Sequence, residues 1–162
     1  MLADKLRIRR LKNQIKIFSD AKKIAEENNI SIKQINLKTL VPLLEFSSLE
    51  EDETLQKKWS NLIVNFSDVN EKYESSIFPF ILNQLTVEDV RIIERFYSSG
   101  RGSAIPSGII QSNLLRLGLI EIFNPTRTIF LNSSKNKIPT TAKYWLSELG
   151  THFYECFSNK YN

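Results

Sequence analysis

His152 and Cys156 carry the side chains best suited to metal binding or nucleophilic chemistry, and they are the single histidine and the single cysteine of the chain. Because they are four positions apart in a stretch expected to be helical, they would project from one helix face. Two ligands do not make a metal site, and the same stretch adds only Glu148 and Glu155. We therefore expect structural roles, with Cys156 a small core residue and His152 a polar residue at the helix edge.

The acidic run from Glu50 to Glu53 could supply oxygen ligands for Mg²⁺ if other ligands converged on it. Consecutive residues at a helix start point in different directions, which disfavours such convergence. Negative charge is stabilising in the N-terminal turn of a helix. The run therefore indicates a helix start whose carboxylates form ion pairs with the basic first helix.

Three glycines, Gly100, Gly102 and Gly108, could in principle cradle a phosphate group. A phosphate-binding loop follows a strand and continues into Gly-Lys-Ser/Thr, and the sequence around these glycines has neither feature. A flexible loop is the better interpretation. The sequence thus predicts no catalytic residues, no metal and no cofactor, and the protein is not expected to be an enzyme.

Basic residues cluster near the start of the first predicted helix, where they oppose the helix dipole. Helix stability therefore does not explain the cluster, and we expect it to bind an acidic partner. The sequence leaves open whether that partner is an upstream region, an anionic lipid surface or the acidic block of a second copy. The cluster comprises Arg7, Arg9, Arg10 and Lys12.

Charge is unevenly distributed along the chain, whose formal net charge is +4. Residues 1–40 contain ten Lys and Arg against four Asp and Glu, and residues 41–100 contain five against eleven. Residues 101–162 return to a basic excess, seven against three. Basic ends flanking an acidic middle favour either contact with nucleic acid or an anionic surface, or pairing of the ends with the middle inside an oligomer.

The first half of the chain predicts a helical bundle. Apolar residues recur at steps of three, four and seven over roughly residues 3–28, which predicts a long helix with one apolar stripe. A second helix is expected over residues 37–47, with Pro42 near its start, and a third runs from the acidic residues to Phe66. Trp59 lies on the apolar face of this third helix, which favours core packing over base stacking. The stripe of the first helix consists of Ile8, Leu11, Ile15, Phe18, Ile24 and Ala25.

The second half of the chain mixes helices with a small antiparallel sheet. Thr86 is a natural helix N-cap, Gly118 suits a helix C-terminus, and Ser147 is placed to cap a closing helix. The expected order is a short helix at 78–85, a helix at 86–97, a loop at 98–103, a helix at 109–117, strands at 119–123, 128–131 and 141–145, and a helix after 147. The predicted fold class is mainly α, with a helical bundle at 1–85 and a second module at 86–162, or one continuous domain.

The second module resembles a winged helix-turn-helix domain over roughly residues 86–158. The resemblance rests on a helix, the sequence L-x-R-L-G-L-I, a hairpin, and then W-L-S-E-L-G-x-x-F. Winged helices serve both DNA binding and protein contact. The resemblance implies a small β-hairpin and a surface that could meet phosphates or bases. Its residues would be Asn113 and Arg116 on the recognition helix, and Arg127, Lys135 and Lys137 on the hairpin or the loop after it.

Residues 41–63 carry the most distinctive motif of the chain. Their order, V-P-L-L-E-F-S-S-L-E-E-D-E-T-L-Q-K-K-W-S-N-L-I, resembles the abortive infection alpha (Abi-alpha) domain. The resemblance implies a bacterial phage-defence protein, in which an infected cell stops growing before the phage is released. We expect it to act as a non-enzymatic macromolecule-binding module. The alternative is a winged-helix DNA-binding transcriptional regulator, whose duplex binding would be lost with Arg116→Ala and Arg127→Ala.

Features of the whole sequence favour a cytoplasmic location. A lone cysteine is typical of a reducing compartment, and no apolar run reaches the roughly 18 residues that span a bilayer. The first thirty residues alternate basic and apolar positions, unlike a signal peptide. The expected partner is an unidentified protein or nucleic acid, and self-association into a homo-oligomer is left open.

Overall fold

The computed structural model describes residues 2–100, 104–105, 108–123, 143–158 and 160. Its helices are α1 (Leu2–Glu27), α2 (Leu37–Ser47), α3 (Glu53–Ser67), α4 (Ile77–Leu82), α5 (Val87–Ser99), α6 (Ile109–Arg116) and α7 (Glu148–Phe157). Its strands, β1 (Ile120–Phe123) and β2 (Lys143–Leu146), form a two-stranded antiparallel sheet. The predicted mainly α fold with a small antiparallel sheet is confirmed.

The chain divides into two compact units. The first unit comprises Met1–Val87 and Glu155–Asn162, and the second comprises Glu88–Tyr154. Helix α7 therefore begins in the second unit and ends in the first. The separation into domains at residues 1–85 and 86–162 stays a prediction.

The first unit is organised around α3, whose apolar side chains fill its interior. Trp59 and Leu62 of α3 are fully buried, as is Ile17 of α1, and Ala21 lies one turn further along α1. The hydroxyl of Ser60 donates to the backbone carbonyl of Ile17 at 3.0 Å, which fixes the two helices side by side. The prediction of Trp59 as a core residue is confirmed.

The first half of the predicted apolar stripe of α1 lies at the protein surface. Ile8, Leu11 and Ile15 face solvent, whereas the side of α1 that meets α3 runs through Ile17 and Ala21. Both sets of residues repeat at helical spacing. Periodicity therefore defines two apolar faces and does not decide which of them packs against α3.

Polar side chains cap the starts of α2 and α3. Asn36 accepts a hydrogen bond from the Lys38 backbone N–H at 2.9 Å. Asp52 accepts from the N–H groups of Thr54 and Leu55 at 2.8 and 3.2 Å. Each cap satisfies backbone donors that have no partner inside the helix, so both helix starts are fixed by local sequence.

In the second unit, α6 ends in a turn that leads directly into β1. The Gly118 N–H donates to the carbonyl of Leu115 and the Leu119 N–H to that of Leu114, each at 3.0 Å. This pair of bonds requires a left-handed residue, and Gly118 has φ 71°. Gly118 therefore ends α6 as predicted.

The start of α7 packs against this same turn. Ser147 caps α7 as predicted, because its hydroxyl oxygen accepts from the Gly150 N–H at 2.9 Å. The Ser147 hydroxyl also donates to the carbonyl of Gly118, and its N–H donates to that of Leu119 at 3.0 Å. The residue thus joins the α7 start to the α6–β1 turn.

The sheet pairs β1 with the segment that was expected to form a third strand. Ile120 lies opposite Leu146, and Phe123 lies opposite Lys143. The strand expected at residues 128–131 lies outside the described residues. Tyr144 of β2 is fully buried and hydrogen-bonds with Gln111 of α6.

Candidate interaction surface

The acidic run at the α3 start is engaged within the first unit. Glu51 forms an ion pair with Arg9 of α1, and Glu53 forms one with Lys16 at 3.2 Å. The Glu50 carboxylate accepts from the N–H groups of Glu51 and Asp52, each at 2.9 Å. The predicted helix start with ion pairs to the first helix is confirmed.

The basic cluster of α1 divides into two pairs by its contacts. Arg9 binds Glu51, and Arg10 donates from Nε to the Ser48 hydroxyl at 2.8 Å. Arg7 and Lys12 make no ion pair with any other described residue. These two cations are therefore the members of the cluster that remain available to a partner, whose identity stays a prediction.

Three bulky apolar residues project from the solvent side of α1. Ile8, Leu11 and Ile15 are 54%, 55% and 58% exposed, and we call them the α1 ridge. Their steps of three and four place them in one row on the helix. Such a row exposes apolar surface to water over about two helical turns, which is typical of an interaction surface.

An open apolar pocket of about 630 Å³ begins where the α1 ridge ends. Its volume falls within the usual range of ligand and side-chain binding clefts. Phe18, one turn after Ile15, forms its near wall, so the ridge and the pocket are continuous along α1. The other apolar lining comes from four segments of the first unit: Ala21 and Ala25 of α1; Ile30, Ile32 and Ile35 before α2; Leu40 of α2; and Ile63 and Val64 of α3.

The polar groups at the pocket rim are few and largely engaged. Lys22 forms a 3.6 Å ion pair with Glu26 along α1, and both side chains are exposed. Lys33 donates from Nζ to the backbone carbonyl of Glu71, and its N–H donates to that of Ser67. The pocket therefore suits an apolar group better than a polar ligand.

Helix α2 adds a second exposed apolar row beside α1. Leu37, Val41 and Leu44 repeat at steps of four and three and are all exposed. Gln14 of α1 donates from Nε2 to the carbonyl of Leu44 at 2.8 Å, so the two helices run next to each other. The row on α2 therefore extends the exposed apolar surface of the first unit.

The residues predicted to contact nucleic acid in the second module are only partly described. Arg116 is exposed on α6 and donates from Nη2 to the Asn113 side chain at 2.7 Å. Both residues border a shallow hollow of about 440 Å³ together with Gly108 and Ile109. DNA contact through this face stays a prediction. Three of the predicted residues, Arg127, Lys135 and Lys137, lie outside the described residues.

His152 and Cys156 occupy different environments. His152 is exposed and Cys156 is buried, as expected for an edge residue and a core residue. Across the part of the chain that the structure describes, no group of three or more His, Cys, Asp or Glu side chains is arranged to hold a metal ion. The positions of these two residues fit structural roles.

Burial raises the pKa of the Cys156 thiol to about 11. Its unfolded value is near 9, so the stability linked to this group is fully present below pH 9 and is lost as pH rises through 11. At pH 8 we expect the native thiol to react with an aromatic disulfide reagent far more slowly than in denaturant, because the thiolate is scarce and covered. A fast stoichiometric reaction of the native protein would contradict this.

The apolar pocket is the feature that sequence reasoning missed. Its lining residues come from segments that are distant in the sequence, so no local pattern marks the cavity. The sequence does carry a signal for the α1 ridge, because its residues form an apolar stripe at helical spacing. The pattern does not determine whether that stripe is buried or exposed to solvent.

Comparison with known proteins adds one finding. A family model described as "Abortive infection alpha" matches residues 4–112. No curated protein and no solved structure matches the chain.

None of the described helices combines the length and apolar character needed to cross a membrane.

Proposed function

The chain belongs to the abortive infection alpha family of abortive-infection-type defence proteins, and we propose that it acts as a non-enzymatic binding module that contacts a protein partner. The contact uses the α1 ridge, the adjoining apolar pocket and the exposed row of α2. The setting is the cytoplasm of a bacterial cell under phage attack.

The observation that carries this proposal is the exposed apolar surface of the first unit. The α1 ridge and the row on α2 place six large aliphatic side chains in water, next to an open apolar pocket. Burying one such side chain is worth about 1.5–3 kcal/mol. Leaving six of them exposed forgoes stability that a partner would recover, which supports a binding role for this surface.

Charge around the ridge supports the same surface. Arg7 and Lys12 flank it and make no ion pair elsewhere in the described part of the first unit. Cations at the edge of an apolar contact area speed encounter with an acidic surface and select among partners. The neighbouring Arg9 and Arg10 hold the turn at Ser48 and Glu51 in place.

The test is phage protection by a variant that disrupts the ridge without disturbing the core. A bacterial host would carry wild-type protein or Ile8→Asp/Ile15→Asp, and plating of a phage that the wild type restricts would be scored. We expect the variant to lose protection, because a carboxylate in the contact area must be desolvated when the partner binds. Circular dichroism and soluble yield would show that the variant remains folded.

The matched control is Ile77→Asp. Ile77 belongs to the same unit, is 51% exposed and lies at the start of α4, so it matches each ridge substitution taken singly: one carboxylate replaces one exposed isoleucine. Protection that survives the ridge variant would reject the proposal. Protection that survives the ridge variant but is lost with Arg116→Ala would favour the alternative, a DNA-binding regulator acting through α6.

A further inference from the structure

We propose that the α1 surface binds a second copy of this chain, with the two α1 helices antiparallel and the ridge of each copy covering the pocket of the other. This inference rests on the proposed function, since it names the partner of the same surface. It follows from the spacing, shape and charge of residues 8–26.

Heptad spacing runs through both the ridge and the pocket. Ile8, Ile15 and Lys22 recur every seven residues, and Leu11, Phe18 and Ala25 follow each of them by three. This is the a and d pattern of a helix that packs along its length against another helix. From Ile8 to Ala25 the seam is about 26 Å long.

The two halves of the seam differ in shape. The first half is convex, because Ile8, Leu11 and Ile15 project into solvent. The second half is concave, because Phe18 and Ala25 line the open pocket. A convex and a concave half on one helix are complementary only when the second helix runs in the opposite direction.

In one register, antiparallel pairing places the convex half of each α1 helix against the concave half of the other. Ile15 lies opposite Phe18 of the second copy, Leu11 lies opposite Lys22, and Ile8 lies opposite Ala25, so each a position meets a d position. The two-fold axis then passes between residues 16 and 17. The interface uses the same patch of both copies and is closed, which is the commonest arrangement of soluble homo-oligomers.

Charge at the edges of the seam also favours the antiparallel arrangement. In a parallel pair, Arg7 would lie beside Lys12 of the other copy, and these like charges would repel. In the antiparallel pair, Lys12 lies on the same edge as Glu26 of the second copy. Glu26 is exposed, and its ion pair with Lys22 is long at 3.6 Å, so it can accept Lys12 as well.

A second copy fits better than pairing of the basic helix with the acidic block of another chain. Within one copy, Glu51 binds Arg9 and Glu53 binds Lys16. These carboxylates are already neutralised by their own α1. The first half of the apolar seam, by contrast, is exposed in the described first unit, with Arg7 and Lys12 at its edges.

Sedimentation equilibrium of the full chain tests whether the dimer forms. We expect a monomer–dimer equilibrium for wild type and for the control Ile77→Asp. Ile15→Asp should raise the dissociation constant by about a hundredfold or more, because the two-fold axis places two carboxylates in the apolar seam. A wild type that stays monomeric up to high micromolar concentration, or a dimer insensitive to Ile15→Asp, would overturn the proposal.

Disulfide trapping in a Cys156→Ala background tests the register. Leu11→Cys and Lys22→Cys proteins, mixed and oxidised, should cross-link with each other and not with themselves. In the antiparallel register, position 11 of one copy is about 16 Å along the helix from position 11 of the other, beyond the reach of a disulfide. Cross-linking of Leu11→Cys with itself would indicate a parallel pair and would refute the register.

The dimer experiments and the phage test can each give a negative result independently of the other. A monomeric wild type whose protection still depends on the α1 ridge would reject the second copy and leave another protein as the partner. A trapped antiparallel dimer whose ridge variants still protect would establish the dimer and reject the proposed role of this surface in defence.

Discussion

Replacing Gly150 with alanine is expected to destabilise the second unit by about 3 kcal/mol, at the upper end of the usual range for overpacking. A Cβ at this position would overlap the carbonyl oxygen of Leu119 and lie 2.9 Å from its carbonyl carbon. Both atoms are backbone, so they cannot move aside as a flexible side chain would. Helix propensity favours alanine over glycine by only about 1 kcal/mol, so the steric clash decides the sign.

The clash cannot be relieved by shifting α7, because Ser147 ties the helix start to the same turn. Its N–H donates to the Leu119 carbonyl at 3.0 Å, and its hydroxyl donates to that of Gly118. Urea denaturation followed by circular dichroism would measure the loss. Gly100→Ala is the matched control, since it meets open space and loses only about 1 kcal/mol from its positive φ of 56°. Equal stability of the two variants would contradict the steric argument.

Local signals in the sequence were sufficient to place the helices. Two helix ends that the sequence assigns to particular residues, those at Gly118 and Ser147, depend on atoms within a few residues. Gly118 supplies a left-handed turn, and the Ser147 oxygen accepts from an N–H three residues ahead. Such features depend on short-range stereochemistry, which is why they can be read without knowledge of the tertiary fold.

The exposure of a helix face could not be predicted in the same way. Helix α1 carries apolar residues on two sides, and only one side meets α3. Which side is buried depends on where Ser60 and Trp59 sit after the chain has folded back, at a sequence distance of about forty residues. The apolar pocket has the same origin, since it lies between segments that are each consistent with a packed core.

Truncation of Trp59 is expected to have the largest effect in the first unit. The side chain is 0% exposed on α3, the helix against which α1 packs. Trp59→Ala should lower the free energy of unfolding by about 3–5 kcal/mol through lost burial and the cavity left behind. Since a typical domain is stable by about 5–15 kcal/mol, the variant should unfold at a much lower urea concentration or fail to fold.

The variant Trp59→Phe tests the contribution of the apolar ring separately from that of the buried indole N–H. The indole N–H of Trp59 is buried with no hydrogen-bond partner in the described structure, and an unsatisfied buried donor of this kind costs about 1–3 kcal/mol. Phenylalanine keeps most of the apolar contact and removes the unpaired donor, so the two effects should largely offset each other. We expect the urea midpoint of Trp59→Phe to lie close to that of wild type. A midpoint as low as that of Trp59→Ala would contradict this expectation and would mean that the position requires the whole indole ring.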